Sequence, residues 1–147
     1  MQSIVRRTII LSTTAAIAVI FTGCGESKVA QCNKIIKVAN QAVTLSQELS
    51  KNPPKEKGSK ALTEVAGKID TLANEMKALE VKDEKLQGFQ GRFLKLYQDT
   101  SKGFRDTATA FDKKNLKAAN ASLASLKKSS SDESAIVSEI NTYCSGK

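Results

Sequence analysis

Leu86, Phe89, Phe93, Leu96, Thr100, Phe104, Thr107 and Phe111 follow one another at steps of three or four residues. Only an α-helix gathers residues so spaced onto one face. Four of the chain's five phenylalanines stand in this stripe, so it is the natural centre of a core. The same spacing recurs before it. Cys32, Ile35, Ile36, Ala39, Ala42, Val43, Ser46 and Leu49 predict a helix over 28–50, which Pro53 and Pro54 end by removing backbone donors and pushing the preceding residue out of the α region. Leu62, Val65, Ala66, Ile69, Leu72, Ala73, Met76 and Leu79 predict a second helix over 59–79, with Ser59 as its N-cap. Asp83 is placed to cap the third, and Asp112 to Asn115 makes a polar turn. A last segment begins with Leu116, Ala119, Leu123 and Leu126, breaks over Lys127 to Asp132, and resumes with Ile136, Val137, Ile140, Tyr143 and Cys144. Composition agrees. Aromatic residues make up 5% of the chain and tryptophan is absent, while Ala, Lys, Ser and Leu dominate, which disfavours an aromatic and β-branched sandwich.

The first 23 residues stand outside this pattern. Met1 to Arg7 carries two arginines and no acid, and Thr8 to Phe21 is an uncharged apolar run. This is the n-region and h-region of an export signal. At about fourteen residues the run is shorter than the roughly 20 needed to span a bilayer. Phe21, Thr22, Gly23 and Cys24 then resemble the bacterial lipobox, with Phe21 departing from the usual leucine and Gly23 and Cys24 matching. The resemblance implies cleavage before Cys24, lipidation of its thiol, and a mature chain of 24–147. It places the protein in the cell envelope, on the outward face of a bacterial membrane. Gly25 is not the aspartate that signals inner-membrane retention in bacteria that sort by this residue, so the resemblance leans towards the outer membrane where there are two. Loss of Arg6 and Arg7 leaves 21 basic residues against 15 acids, a net charge of +6. Such a balance suits an anionic membrane surface. Export and the lack of interleaved aromatics argue against nucleic acid.

With Cys24 assigned to lipid, Cys32 and Cys144 remain as a pair in an oxidising compartment and are expected to form a disulfide. They also test the topology. In an all-α, antiparallel up-down-up-down four-helix bundle, the start of the first helix and the end of the fourth lie together. One difficulty is length, because Lys113 to Cys144 as a single helix would span about 48 Å against about 34 Å for the first. The fourth helix is therefore expected to be kinked or broken near Ser129 to Ser131.

Chemical motifs are few. Histidine is absent, which removes the commonest general base and neutral metal ligand. No catalytic residue, metal site or cofactor is expected. Gly88-Phe89-Gln90-Gly91 has the spacing of a nucleotide-clamping loop but lies within a helical stripe, where close packing or a local bend explains it. Asp83-Glu84 and Asp132-Glu133 read as helix-start carboxylates favoured by the dipole. Tyr97 and Tyr143 read as packing residues. The whole describes a non-enzymatic, membrane-anchored binding or scaffold protein with a protein partner. It is loosely similar to the small four-helix lipoproteins that cyanobacteria attach to photosynthetic membrane complexes, in size, lipobox and helical pattern. The alternative is a carrier of a small apolar ligand, with a cavity lined by Phe89, Phe93 and Phe104.

Overall fold

The structure, a computed structural model, describes residues 26–52 and 57–146. The signal segment, the lipobox and Cys24 lie outside the described residues, as do Pro53 and Pro54. Four helices form a bundle: α1 (Lys28–Lys51), α2 (Ser59–Ala78), α3 (Glu84–Asp112) and α4 (Leu116–Cys144). No strand occurs among the described residues.

Local chemistry sets most of the helix ends. The Ser27 and Asp83 side chains accept the Ala30 and Leu86 amides, and Asn115 accepts that of Ala118, each satisfying a donor that the first turn leaves free. The N-cap of α2 is Gly58 and not Ser59, which is the first helical residue. Gly58 has φ +68°, a conformation open to glycine and strained for a side chain at the place where the chain must turn into α2. At the other end of α2, the Gln90 side chain donates to the Met76 and Leu79 carbonyls at 2.8 and 2.9 Å. That is the work of the middle of the Gly-Phe-Gln-Gly motif. Its glycines do not explain themselves by close packing, since a Cβ on Gly88 or Gly91 would meet nothing within 4 Å. Gly88→Ala and Gly91→Ala are accordingly expected to raise stability by up to about 1 kcal/mol each in urea unfolding, because alanine loses less backbone entropy in a helix. Gly103 differs. A Cβ there would stand 2.8 Å from Leu126 Cδ2, so α3 and α4 approach closely at this point.

The break expected in α4 is not found. The helix runs without interruption from Leu116 to Cys144. Ser129 and Ser134 donate their hydroxyls to the carbonyls four residues back, at 3.3 and 3.2 Å, contacts that can bend a helix without ending it. Lys128 and Asp132 pair across the same turn at 2.6 Å. The length argument fails for a second reason: α3 also has 29 residues, so α4 has a partner of its own length. Arg92 meets Glu139, Tyr97 meets Glu133, and Gly103 faces Leu126, so residue numbers rise along α3 as they fall along α4.

Cys32 and Cys144 form a disulfide, with Cα atoms 6.0 Å apart. Around it the bundle is closed. The Gln31 side-chain oxygen Oε1 accepts the Lys82 and Asp83 backbone amides at 2.7 and 3.0 Å, fixing the start of α1 to the α2–α3 connection. Tyr143 donates its hydroxyl to Asp83 at 2.9 Å, and Lys28 stands 3.6 Å over its ring. Hydrogen bonds to Leu86 and Tyr143 hold the Asp83 carboxyl below its ordinary range. The core runs from here through Ile35, Met76, Leu86, Phe89, Phe93 and Ile140. It does not continue evenly to the other end. Every buried residue of α1 lies between Gln31 and Ala39, and α4 has none between Ala119 and Ile136.

Candidate functional site

Beyond Ala39 the apolar stripe of α1 continues as Ala42, Leu45 and Leu49, all half-buried. The middle of α4 offers Leu126, Ser129 and Glu133, also half-buried. Neither surface closes on the other. Between them, floored by Val65, Ile69 and Leu72 of α2 and by Leu96, Tyr97, Thr100 and Phe104 of α3, is a cleft of about 370 Å³. That volume lies within the range of about 300 to 1,000 Å³ usual for small-molecule sites.

The cleft wall combines leucine, isoleucine and phenylalanine with a few polar groups. Ser46, Ser50, Thr100, Ser129 and Ser130 bring hydroxyls, Tyr97 and Glu133 bring the titratable groups, and among the described residues no lysine or arginine takes part. Tyr97 is buried with its ring 6.0 Å from that of Phe93, which positions it from the core side. Its hydroxyl donates to Glu133 Oε1 at 3.4 Å. Burial pushes the Tyr97 phenol far above its ordinary value, and the Glu133 charge adds to this. Burial also raises the Glu133 carboxyl, with the Tyr97 hydrogen bond opposing.

The raised Glu133 value has a defined consequence for stability. The folded chain holds this proton more firmly than the unfolded chain, so the group's stabilising contribution is complete below the ordinary carboxylate pKa and is lost as pH rises through the raised one. Glu133→Gln should therefore be more stable than the parent at pH 7, and the difference should vanish below about pH 4. Asp70, Asp83 and Glu139 act in the opposite sense. Hydrogen bonds from Arg105, Leu86 and Arg92 respectively lead the lowering of their values, so their contributions are lost on acidification. Urea unfolding of parent and variant at both pH values, read as a difference, isolates Glu133.

The structure does not gather Phe89, Phe93 and Phe104 around one cavity. Phe89 and Phe93 are buried in the core, and only Phe104 lines the cleft. The reason is their position along α3: the first two lie at the closed end, where α1 and α4 converge on the disulfide. Asp132 and Glu133 do not begin a helix, because α4 is continuous there, and their roles separate. Asp132 pairs with Lys128 on the surface, while Glu133 turns to the cleft. Sequence reasoning passed over Glu133 and Tyr97 as site residues. The available signal was their register, for with α3 and α4 running in opposite directions a tyrosine bordering the α3 stripe comes level with an acid on the facing side of α4.

Among the described residues no group of three or more acidic or cysteine side chains is placed to hold a metal ion. No described helix is long and apolar enough to cross a membrane. No protein-family model, no curated protein and no solved structure matches this chain.

Proposed function

We propose that this chain is an exported, lipid-anchored and non-enzymatic binding protein that takes a small, largely apolar ligand between its helices. The observation carrying this reading is the cleft of about 370 Å³ beneath the second half of α1, walled by Leu45, Leu49, Ile69, Leu72, Phe104 and Leu126. A packed bundle would bury these side chains against one another at close to crystal density. Here four helices contribute to a gap instead. The anchor rests on the lipobox-like Phe21-Thr22-Gly23-Cys24 segment that follows the apolar run.

Two experiments test the two halves. Titration of 4-phenylbutan-1-ol into the full chain held in nanodiscs, referenced to empty nanodiscs, should give saturable binding that Ser46→Trp abolishes by filling the cleft from its exposed rim. Binding that is unsaturable, or unchanged by Ser46→Trp, would overturn the cleft as the site. Cys24→Ala should abolish fatty-acid labelling and membrane attachment, since the apolar run is too short for a stable span. A variant that stays labelled and membrane-bound would refute the anchor.

A scaffold for a protein partner is the second reading. It is favoured by Phe111, Leu116 and Leu123, which are exposed around the α3–α4 turn, Leu116 to 69%. Lysines 113, 114 and 117 flank them. Phe111→Ser with Leu116→Ser should then release a partner that crosslinks to the parent in native membranes while leaving cleft binding intact.

A further inference from the structure

We infer that the cleft selects a cationic amphiphile, an ammonium group on an apolar body, with Glu133 as its counter-ion; this rests on the ligand-binding reading above. Glu133 is the one charged side chain among the described residues of the cleft wall. Four other acids on neighbouring helix faces are paired: Asp70 with Arg105 at 2.6 Å, Asp99 with Lys95 at 2.7 Å, Asp132 with Lys128 at 2.6 Å and Glu139 with Arg92 at 2.6 Å. Glu133 pairs with no cation among the described residues, in a chain whose basic residues outnumber its acids by 23 to 15. Its only hydrogen bond there is the long one from Tyr97, to Oε1. The second oxygen has no donor among the described residues, yet no buried side-chain atom there is left unsatisfied, so Oε2 is accessible from outside the protein, on a residue that lines the cleft.

The surrounding chemistry completes the match. An ammonium carries three donors and no acceptor, so it needs a carboxylate and further oxygens. Thr100, Ser129 and Ser130 present hydroxyl oxygens in the same wall. Leucine and phenylalanine side chains cover the rest and suit an alkyl or aryl body. A fatty acid would set carboxylate against carboxylate in an apolar setting, where like charges repel strongly. A divalent cation would find one carboxylate where several oxygen ligands are required. The raising of the Glu133 carboxyl by burial fits this reading, because a bound cation favours the charged form that burial disfavours.

The test uses three probes of one shape, 4-phenylbutylammonium, 4-phenylbutan-1-ol and 4-phenylbutyrate, titrated into the full chain in nanodiscs with empty nanodiscs subtracted. The ammonium should bind at least about tenfold tighter than the alcohol, as expected where a charge-assisted hydrogen bond replaces a neutral one. The carboxylate should bind weakest. Glu133→Gln, which keeps the shape and the Tyr97 contact, should remove the ammonium preference, so that ammonium and alcohol bind with similar affinity. Glu133→Asp, which keeps the charge, should retain part of it. Ammonium affinity should rise with pH through the carboxylate range in the parent and stay flat in Glu133→Gln. If alcohol and ammonium bind equally to the parent, the cation selectivity is refuted while the apolar cleft stands. If the ammonium preference survives Glu133→Gln, the cation sits elsewhere and the inference is overturned. If no probe binds saturably, the ligand-binding reading falls with it.

Discussion

Phe93→Ala should lower the free energy of unfolding by about 3 to 5 kcal/mol, the range for emptying a packed aromatic site. Phe93 is fully buried, with 0% exposure, and it stands among Met76, Leu86, Leu96, Tyr97 and other core residues and not in the cleft wall. Truncation therefore leaves a void among side chains that are already locked. The loss is a large part of a typical stability of roughly 5 to 15 kcal/mol, so the midpoint in urea should fall sharply while the slope of the transition holds. The cleft supplies the contrast. Phe104 is half-buried on the same helix face and borders open space, so Phe104→Ala should cost less than Phe93→Ala and weaken binding of 4-phenylbutan-1-ol. A loss under about 1 kcal/mol for Phe93→Ala would show that the closed end is not packed as described.

Removal of the disulfide by Cys32→Ala with Cys144→Ala is the second large effect, about 2 to 5 kcal/mol. The two residues are 112 positions apart, so the bond restrains nearly the whole bundle in the unfolded chain. Its local consequence is more specific. The buried residues of α1 occupy only Gln31 to Ala39, and its second half meets the bundle through half-buried Ala42, Leu45 and Leu49. With the bond gone, α1 keeps the Gln31 hydrogen bonds and a short apolar strip, while α2, α3 and α4 keep their mutual core. Amide exchange should therefore accelerate first and most in α1. Protection in α3, around Phe93 and Leu96, should persist until global unfolding. Equal loss of protection across all four helices would contradict this division.

Helix number and type were legible in the sequence because the three- and four-residue spacing of apolar side chains is a property of the helix itself. So was the pairing of Cys32 with Cys144, since reading Cys24 as a lipid site leaves these two thiols. Asp83 was readable as a cap for the same reason: its carboxylate satisfies an amide three residues away, a contact that needs no tertiary structure. The continuity of α4 was not readable. A run of serines next to Lys127 and Lys128 looks like a breaker to local propensity, and only a partner helix of equal length, with close approach at Gly103, makes the unbroken form the better one. The cleft was equally hidden. Leu45 and Leu126 have the same periodic signature as Ile35 and Ile140, since periodicity records which face a residue occupies and not how near the opposing face comes. That distance was decided by four helices converging on a disulfide at one end and standing apart further along. Their opposed directions, and nothing local to either residue, bring Glu133 beside Tyr97.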